Sequence, residues 1–260
     1  GILKNIRVRV LKILTKLSSM KASKVIFVSN YSRRGIVKQL RIPEQKTLTI
    51  YHGINKNNFI NIKNDNIPSN LKVKLNKAGD FILAVSSIYS FKNYKVLLEA
   101  YNRLEKSLKE KYSLVVAGKI LEPNYYKNLL NLSKELGIDN KVHFLGEINH
   151  KFIPYLYLKA SLFVLPSFLE TFGHTLVESM ASSLPVIAAD STAIPEILGG
   201  AGILFNPNDP DELSAKIITV LKNRNLQQEL IGKGLERANN FSWGKSARET
   251  LRVFEEVYNG

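Results

Sequence analysis

Two carboxylates mark the most chemically specific segment of the sequence, Glu170-Thr-Phe-Gly-His-Thr-Leu-Val-Glu178. Glu170 falls in the loop after an apolar run, and Glu178 falls in the first turns of the helix predicted over 173–183. Gly173 lets a backbone come close to a ligand. The amides of Phe172, Gly173, His174, Thr175 and Leu176, at that helix N-terminus, suit a phosphate. Two acceptors beside an anion site are out of place for phosphate alone. They fit a ligand that also carries hydroxyls, because an ionised carboxylate only accepts and sugar or ribose O–H groups donate. The plainer alternative is that both glutamates favour a helix N-terminus through its macrodipole.

Cations and small polar residues follow the other apolar runs. Ser86, Ser87 and Lys92-Asn93 come after the first, Gly118-Lys119 after the second, Gly146 after the third, and Ser191, Thr192 and Glu196 after the fifth. Lys92 and Lys119 are the complementary cations for a diphosphate. Taken singly, each is an ordinary loop residue, and a glycine there can be a turn residue only. The sequence lacks G-x-G-x-x-G, G-x-x-x-x-G-K-[ST] and H-E-x-x-H. Asp209-Pro-Asp211 reads as a helix cap, and no metal site is expected.

These residues need a frame that gathers them at one edge. From residue 80, short apolar runs at 81–87, 112–118, 141–145, 161–167, 185–189 and 202–205 alternate with helical patterns at 93–109, 123–137, 150–159 and 173–183. Near-continuous apolar strands belong to sheets covered on both faces. The alternation predicts an α/β fold, a Rossmann-like parallel sheet with helices on both faces, whose ligands sit at the carboxyl ends of the strands. Helices follow at 210–222, 225–239 and 243–258. The first eighty residues offer a basic helical stretch at 2–20, strands at 24–29 and 47–52, and a helix near 32–40. The expected division is an incomplete first region over 1–52, a linker over 53–79, an α/β domain over 80–240 and a C-terminal helix over 241–260.

With 45% apolar residues in 260, the chain can bury a sizeable core. It has no cysteine, which removes disulfides and thiolate chemistry and is compatible with a reducing cytoplasm. No apolar run is long enough to span a bilayer. The net charge of +15 attracts an anion, but the lysines and arginines are spread along the chain and no base-reading motif accompanies them, so nucleic acid is not the expected partner.

Taken together, the motifs resemble the retaining glycosyltransferases of family 4, which have the two-domain GT-B fold. Glu170-x7-Glu178 with internal Phe172-Gly173 looks like that family's E-x-F-G-x4-E motif. Ile194-Pro-Glu196 followed by Gly202-Ile-Leu-Phe is similar to its next loop and strand, and Ser87-Ile-Tyr-Ser-Phe-Lys92-Asn93 resembles its lysine-bearing loop. Tyr51-His-Gly53-Ile looks like the interdomain crossing and Phe241-Ser-Trp243 like the start of the last helix. The resemblance implies that 80–240 is the nucleotide-sugar-binding domain and 1–52 a remnant of the N-terminal, acceptor-side domain, joined by an interdomain linker over 53–79. The reaction it implies is transfer of a sugar from a nucleoside-diphosphate sugar to an acceptor hydroxyl, with retention, in cell-surface polysaccharide or glycolipid synthesis. It implies that Glu178 accepts from ribose, that Glu170 touches the donor sugar, that the amides from Phe172 to Leu176 hold sugar and diphosphate, and that Lys92 holds the diphosphate, with Glu196 nearby. Many relatives carry Gly-Arg after the first strand, whereas this chain has Ser86-Ser87; Lys119 is the candidate substitute. The expected partners are the nucleotide sugar, a glycan or lipid-linked acceptor, and anionic membrane met by residues 2–20 from the cytoplasmic side. The chain alone is expected to bind donor without transferring sugar. The competing reading is a non-catalytic nucleotide-sugar or anionic-surface binding module, which transfer activity discriminates.

Overall fold

A computed structural model describes residues 2–60 and 67–259. The chain forms two units, one from residues up to 53 together with 241 onward, the other from 54–240.

The second unit is built on six strands: β3 (Asp80–Val85), β4 (Tyr112–Ala117), β5 (Val142–Gly146), β6 (Leu162–Leu165), β7 (Val186–Ala189) and β8 (Ile203–Phe205). All pair in parallel, in the order β5-β4-β3-β6-β7-β8. Every residue of β4, β6 and β7 is buried, which is why these segments are apolar at each position instead of alternating. The chain walks outward from β3 to β5, returns to lay β6 against β3, and walks outward again on the other side. In such sheets the reversal opens a crevice at the carboxyl ends of the two central strands, here β3 and β6.

Helices α5 (Tyr94–Asn102), α7 (Pro123–Glu135) and α11 (Pro210–Lys222) pack together. A second group gathers around α9 (His174–Ala181), which meets α3 (Asn57–Ile60), α10 (Ile194–Leu198) and α12 (Arg224–Ala238), while α8 (Ile153–Lys159) meets α3 and β3. Asp209 caps α11 as expected: its Oδ1 accepts from the amides of Asp211 at 3.0 Å and Glu212 at 2.9 Å.

Three segments differ from the sequence expectation. Residues 53–79, read as an aperiodic linker, contain α3 and α4 (Ser69–Ala78), and Ile54, Phe59, Ile67, Leu71, Leu75 and Ala78 are buried. Leu71, Leu75 and Ala78 form a narrow i, i+4, i+7 stripe, hidden in the sequence by the lysines and asparagines between them; residues 61–66 of this stretch lie outside the described residues. The helix expected over 93–109 is two, α5 and α6 (Lys106–Lys111), because the chain turns at Arg103–Glu105 and Lys109 Nζ donates to the Asn102 carbonyl at 2.8 Å. The segment 150–159 opens with a 3-10 turn, His150–Phe152, and becomes α8 just ahead of Pro154.

In the first unit, β1 (Val25–Phe27) and β2 (Thr47–Thr49) pair in parallel beside α2 (Asn30–Leu40). Val37, Leu40 and Ile42 are buried against Val25, Phe27 and Ile36. Helix α1 (Ile2–Lys21) precedes them, and Lys46 Nζ donates to the carbonyls of Met20 at 3.2 Å and Ala22 at 3.1 Å around its end. Helix α13 (Trp243–Asn259) completes the unit. Gly53 is needed there, since a Cβ on it would lie 1.9 Å from the Trp243 nitrogen.

Candidate functional site

The loops beyond the carboxyl ends of β3 and β6 are stitched together across the reversal point. Phe168 N–H donates to the Phe91 carbonyl at 2.8 Å. Beside that link, Lys92 Nζ lies 2.6 Å from Glu170 Oε1, the two side chains being 15% and 13% exposed. The sequence expectation placed a cation and a carboxylate at this edge; the structure joins them as an ion pair. Lys92 Nζ also stands 5.1 Å from the centroid of Phe91, a cation–π distance.

Each loop is held by contacts of its own. Buried Tyr94, at the start of α5, donates to the Ser86 carbonyl at 2.8 Å and lies 2.6 Å from Ser86 Oγ, fixing the loop that carries Ser87. Asn93 takes a left-handed conformation, φ 55°, and donates to the Pro207 carbonyl at 2.8 Å. Glu170 N–H donates to Thr192 Oγ1 at 2.9 Å, and Ser191 Oγ donates to the Phe168 carbonyl at 2.5 Å, so the loops after β6 and β7 are tied to each other. Gly118 follows β4 because nothing larger fits: a Cβ there would lie 1.8 Å from the Ser86 carbonyl oxygen.

Gly173 begins α9 with φ 86°, a conformation that costs other residues dearly. Phe172 is buried beside the His174 ring, centroids 5.0 Å apart. The N–H groups of the first turn point along the helix start, where the macrodipole favours an anion. One amide of the expected set is already engaged, for Leu176 N–H donates to the Gly173 carbonyl at 3.0 Å.

Glu178 lies one turn further along α9 and is buried. Tyr157 OH donates to its Oε2 at 3.1 Å, and His150 Nε2 is 3.4 Å from its Oε1. Burial pushes the Glu178 carboxyl above its ordinary pKa, opposed first by the His150 charge and then by the hydrogen bond from Tyr157. Burial and the Glu178 charge together hold the Tyr157 phenol well above its usual range, and the Tyr94 phenol feels Glu170 and raises Tyr157 in turn.

Lys119 and Glu196 are placed further out. Lys119 Nζ pairs with Glu147 at 3.7 Å with both side chains more than half exposed. Glu196 sits in the first turn of α10, and its carbonyl accepts from Arg237 Nη2 at 2.7 Å. Sequence reasoning missed His150, Tyr157 and Tyr94 as parts of this site, while Thr192 was among the residues expected after the fifth strand. The partners of the three missed residues are 8 to 28 positions away, and no local spacing announces them. Among the described residues, no group of three or more His, Asp or Glu side chains could hold a metal ion.

The arrangement offers a lysine, a helix N-terminus and two hydroxyl-accepting carboxylates around the crevice. The family model described as "Glycosyl transferases group 1" matches residues 68–237. The O-antigen chain mannosyltransferase B of Escherichia coli is 28% identical over 90% of this chain and 61% of its own length. The O-antigen chain mannosyltransferase RfbU of Salmonella typhimurium is 27% identical over 88% of this chain and 58% of its own length. The chain therefore spans about three fifths of these relatives. Among solved structures, a glycosyltransferase from Rickettsia africae superposes with a TM-score of 0.78 at 26% identity, covering 91% of this chain and 64% of that one. Anabaena Alr3699/HepE in complex with UDP superposes at 0.81 and 25% identity, covering 92% and 65%.

Proposed function

The chain belongs to the group 1 glycosyl transferases, and from that membership we propose that it carries the donor site of a retaining, family 4 type transferase. The sugar comes from a nucleoside-diphosphate sugar and goes to the hydroxyl of a glycan or lipid-linked acceptor in surface polysaccharide synthesis. The observation that carries this reading is the Lys92–Glu170 pair at the reversal point, next to the N-terminus of α9. Lys92 and the first amides of α9 stabilise the diphosphate as the bond to the anomeric carbon breaks and its electron pair moves onto the departing phosphate oxygen. Glu170, beside Lys92, accepts from the donor sugar. Glu178, deeper along the same helix, accepts from the ribose, and Ser87, Gly118, Lys119 and Glu196 form the rim. UDP is the first probe because the Anabaena relative is in complex with it, and a hexose is the first donor sugar because two relatives are mannosyltransferases.

Thermal shift of the chain with a panel of nucleoside diphosphates and their hexoses, in EDTA, tests the reading. One base is expected to raise the melting temperature, by about 2.7 kcal/mol of stabilisation at a hundred times Kd. Failure of every nucleotide overturns the donor site. A shift that appears only with magnesium or manganese overturns the metal-independent part.

A second reading concerns α1. Val8, Val10, Leu11, Ile13, Leu14 and Leu17 are each about half exposed, and Arg9, Lys12 and Lys16 are interleaved with them and exposed; Lys4, Ile6 and Arg7 have side chains outside the described ones. This combination supports peripheral docking on anionic membrane at its cytoplasmic face, where lipid-linked acceptors are reached. No described helix is long and apolar enough to cross a membrane.

A further inference from the structure

We infer that His150 is a positioning residue: it holds the Glu178 carboxylate in the one orientation that receives a vicinal diol, and so lets the site tell a ribonucleotide from its deoxy analogue. The inference rests on the donor-site reading above and adds a residue to it.

The geometry is a three-element convergence on one buried carboxylate. Glu178 comes from α9, Tyr157 from α8, and His150 from the 3-10 turn after β5. Tyr157 OH occupies Oε2 at 3.1 Å and His150 Nε2 stands at Oε1, 3.4 Å away. An ionised carboxylate has about four acceptor positions, two on each oxygen. With the proton on Nε2, one donor on each oxygen restricts its rotation and leaves one position on each, side by side, which is the pattern that matches two neighbouring hydroxyls. The turn bearing His150 is itself fixed, since Asn149 Oδ1 accepts from Lys151 N–H at 3.2 Å. The imidazole nevertheless stays at the surface: the His150 side chain is 73% exposed, against 9% for Glu178. Tyr157 therefore anchors the carboxylate from within and His150 aims it from the solvent side.

Electrostatics supports the same assignment. Burial favours the neutral acid, a weaker acceptor for a diol, and the influence of His150 is the largest one opposing it. The titratable groups facing Glu178 are His150 from the 3-10 turn and Tyr157 from α8, with Tyr94 of α5 acting on Tyr157. Removing His150 takes away both the orientation and part of the field that keeps the carboxylate ionised.

The full chain with its best nucleoside diphosphate is the test system, compared with the 2′-deoxynucleoside diphosphate of the same base by calorimetry. His150→Ala is expected to lose about five- to tenfold in affinity for the ribonucleotide, roughly one hydrogen bond, with little change for the deoxy analogue. His150→Gln, which keeps a donor at the same reach, should recover the ribonucleotide affinity at pH 7. The acidic pH at which ribonucleotide affinity falls should move upward in His150→Ala, because the carboxyl then protonates sooner as pH drops. Equal losses for both nucleotides, or none for either, overturn the inference. NMR titration of the Glu178 carboxyl without nucleotide decides the positioning separately: the midpoint should rise in His150→Ala, and an unmoved midpoint overturns it. Failure of the wild-type chain to bind any nucleoside diphosphate would instead overturn the donor-site reading.

Discussion

Lys92 and Glu170 meet at 2.6 Å with little solvent around either, so each holds the other in place until an anion competes for the ammonium. Lys92→Met leaves the largely buried Glu170 carboxylate without this partner and is expected to destabilise the second unit by about 2–4 kcal/mol, somewhat less than a completely buried pair would cost. Adding Glu170→Gln removes the stranded charge and should recover most of that loss. Urea unfolding of the two single variants and the double variant measures the coupling, and additivity would show that the pair is not an energetic unit. Nucleotide affinity is a separate readout: it should stay low in the rescued double variant, because stability returns and the cation does not. At Glu178, alanine removes a charged acceptor from the ligand and is expected to weaken nucleoside-diphosphate affinity about ten- to a hundredfold by calorimetry. Which residues gather here was legible only in part. Glu170, Gly173 and Glu178 stand in one readable segment, and Lys92 follows its strand closely. His150, Tyr157 and Tyr94 enter from other loops and helices, and they meet the readable residues only when the sheet reversal brings those segments together.

The strands were the easiest elements to read, because a strand buried on both faces is written as an unbroken apolar run. β3, β4 and β6 each lie within two residues of the expected ends, and α9 and α11 follow from Gly173 and from the Asp209 cap. Helix α4 was not legible, since its buried stripe is three residues wide and its other positions carry Lys72, Lys74, Lys77 and Asn76. Composition there pointed to a solvated linker, while burial depends on where the helix lands. Leu75 is 4% exposed and α4 packs on β4. Leu75→Ala is expected to cost about 2–4 kcal/mol of stability, lowering the urea midpoint with no change in slope. A change within about 0.5 kcal/mol would mean that the segment is the linker its composition suggests.

For the whole molecule, a net charge of +15 draws the chain toward any anionic surface, and α1 adds apolar side chains to that attraction. Each lysine or arginine held near such a surface contributes about 1 kcal/mol, so Arg9, Lys12 and Lys16 together contribute enough to detect. The chain should sediment with phosphatidylglycerol vesicles at low salt and not with phosphatidylcholine vesicles. Leu14→Asp with Leu17→Asp should release it without altering nucleotide affinity. Equal sedimentation with both vesicle types would remove the docking reading.

The first unit is also discontinuous: residues up to 53 and residues from 241 onward belong to it, with all of residues 54–240 between its two parts. On the ribosome this sets an order between the two units. The second unit is one unbroken stretch and can close its sheet as soon as β8 and the helices after it have emerged. The first must wait for Phe241 to meet Tyr51 and for the Trp243 backbone to settle on Gly53. At about 5–20 residues per second that wait is on the order of ten seconds or more. During it Tyr51 and Gly53 are made but lack the segment that packs on them, so closure of the first unit follows closure of the second.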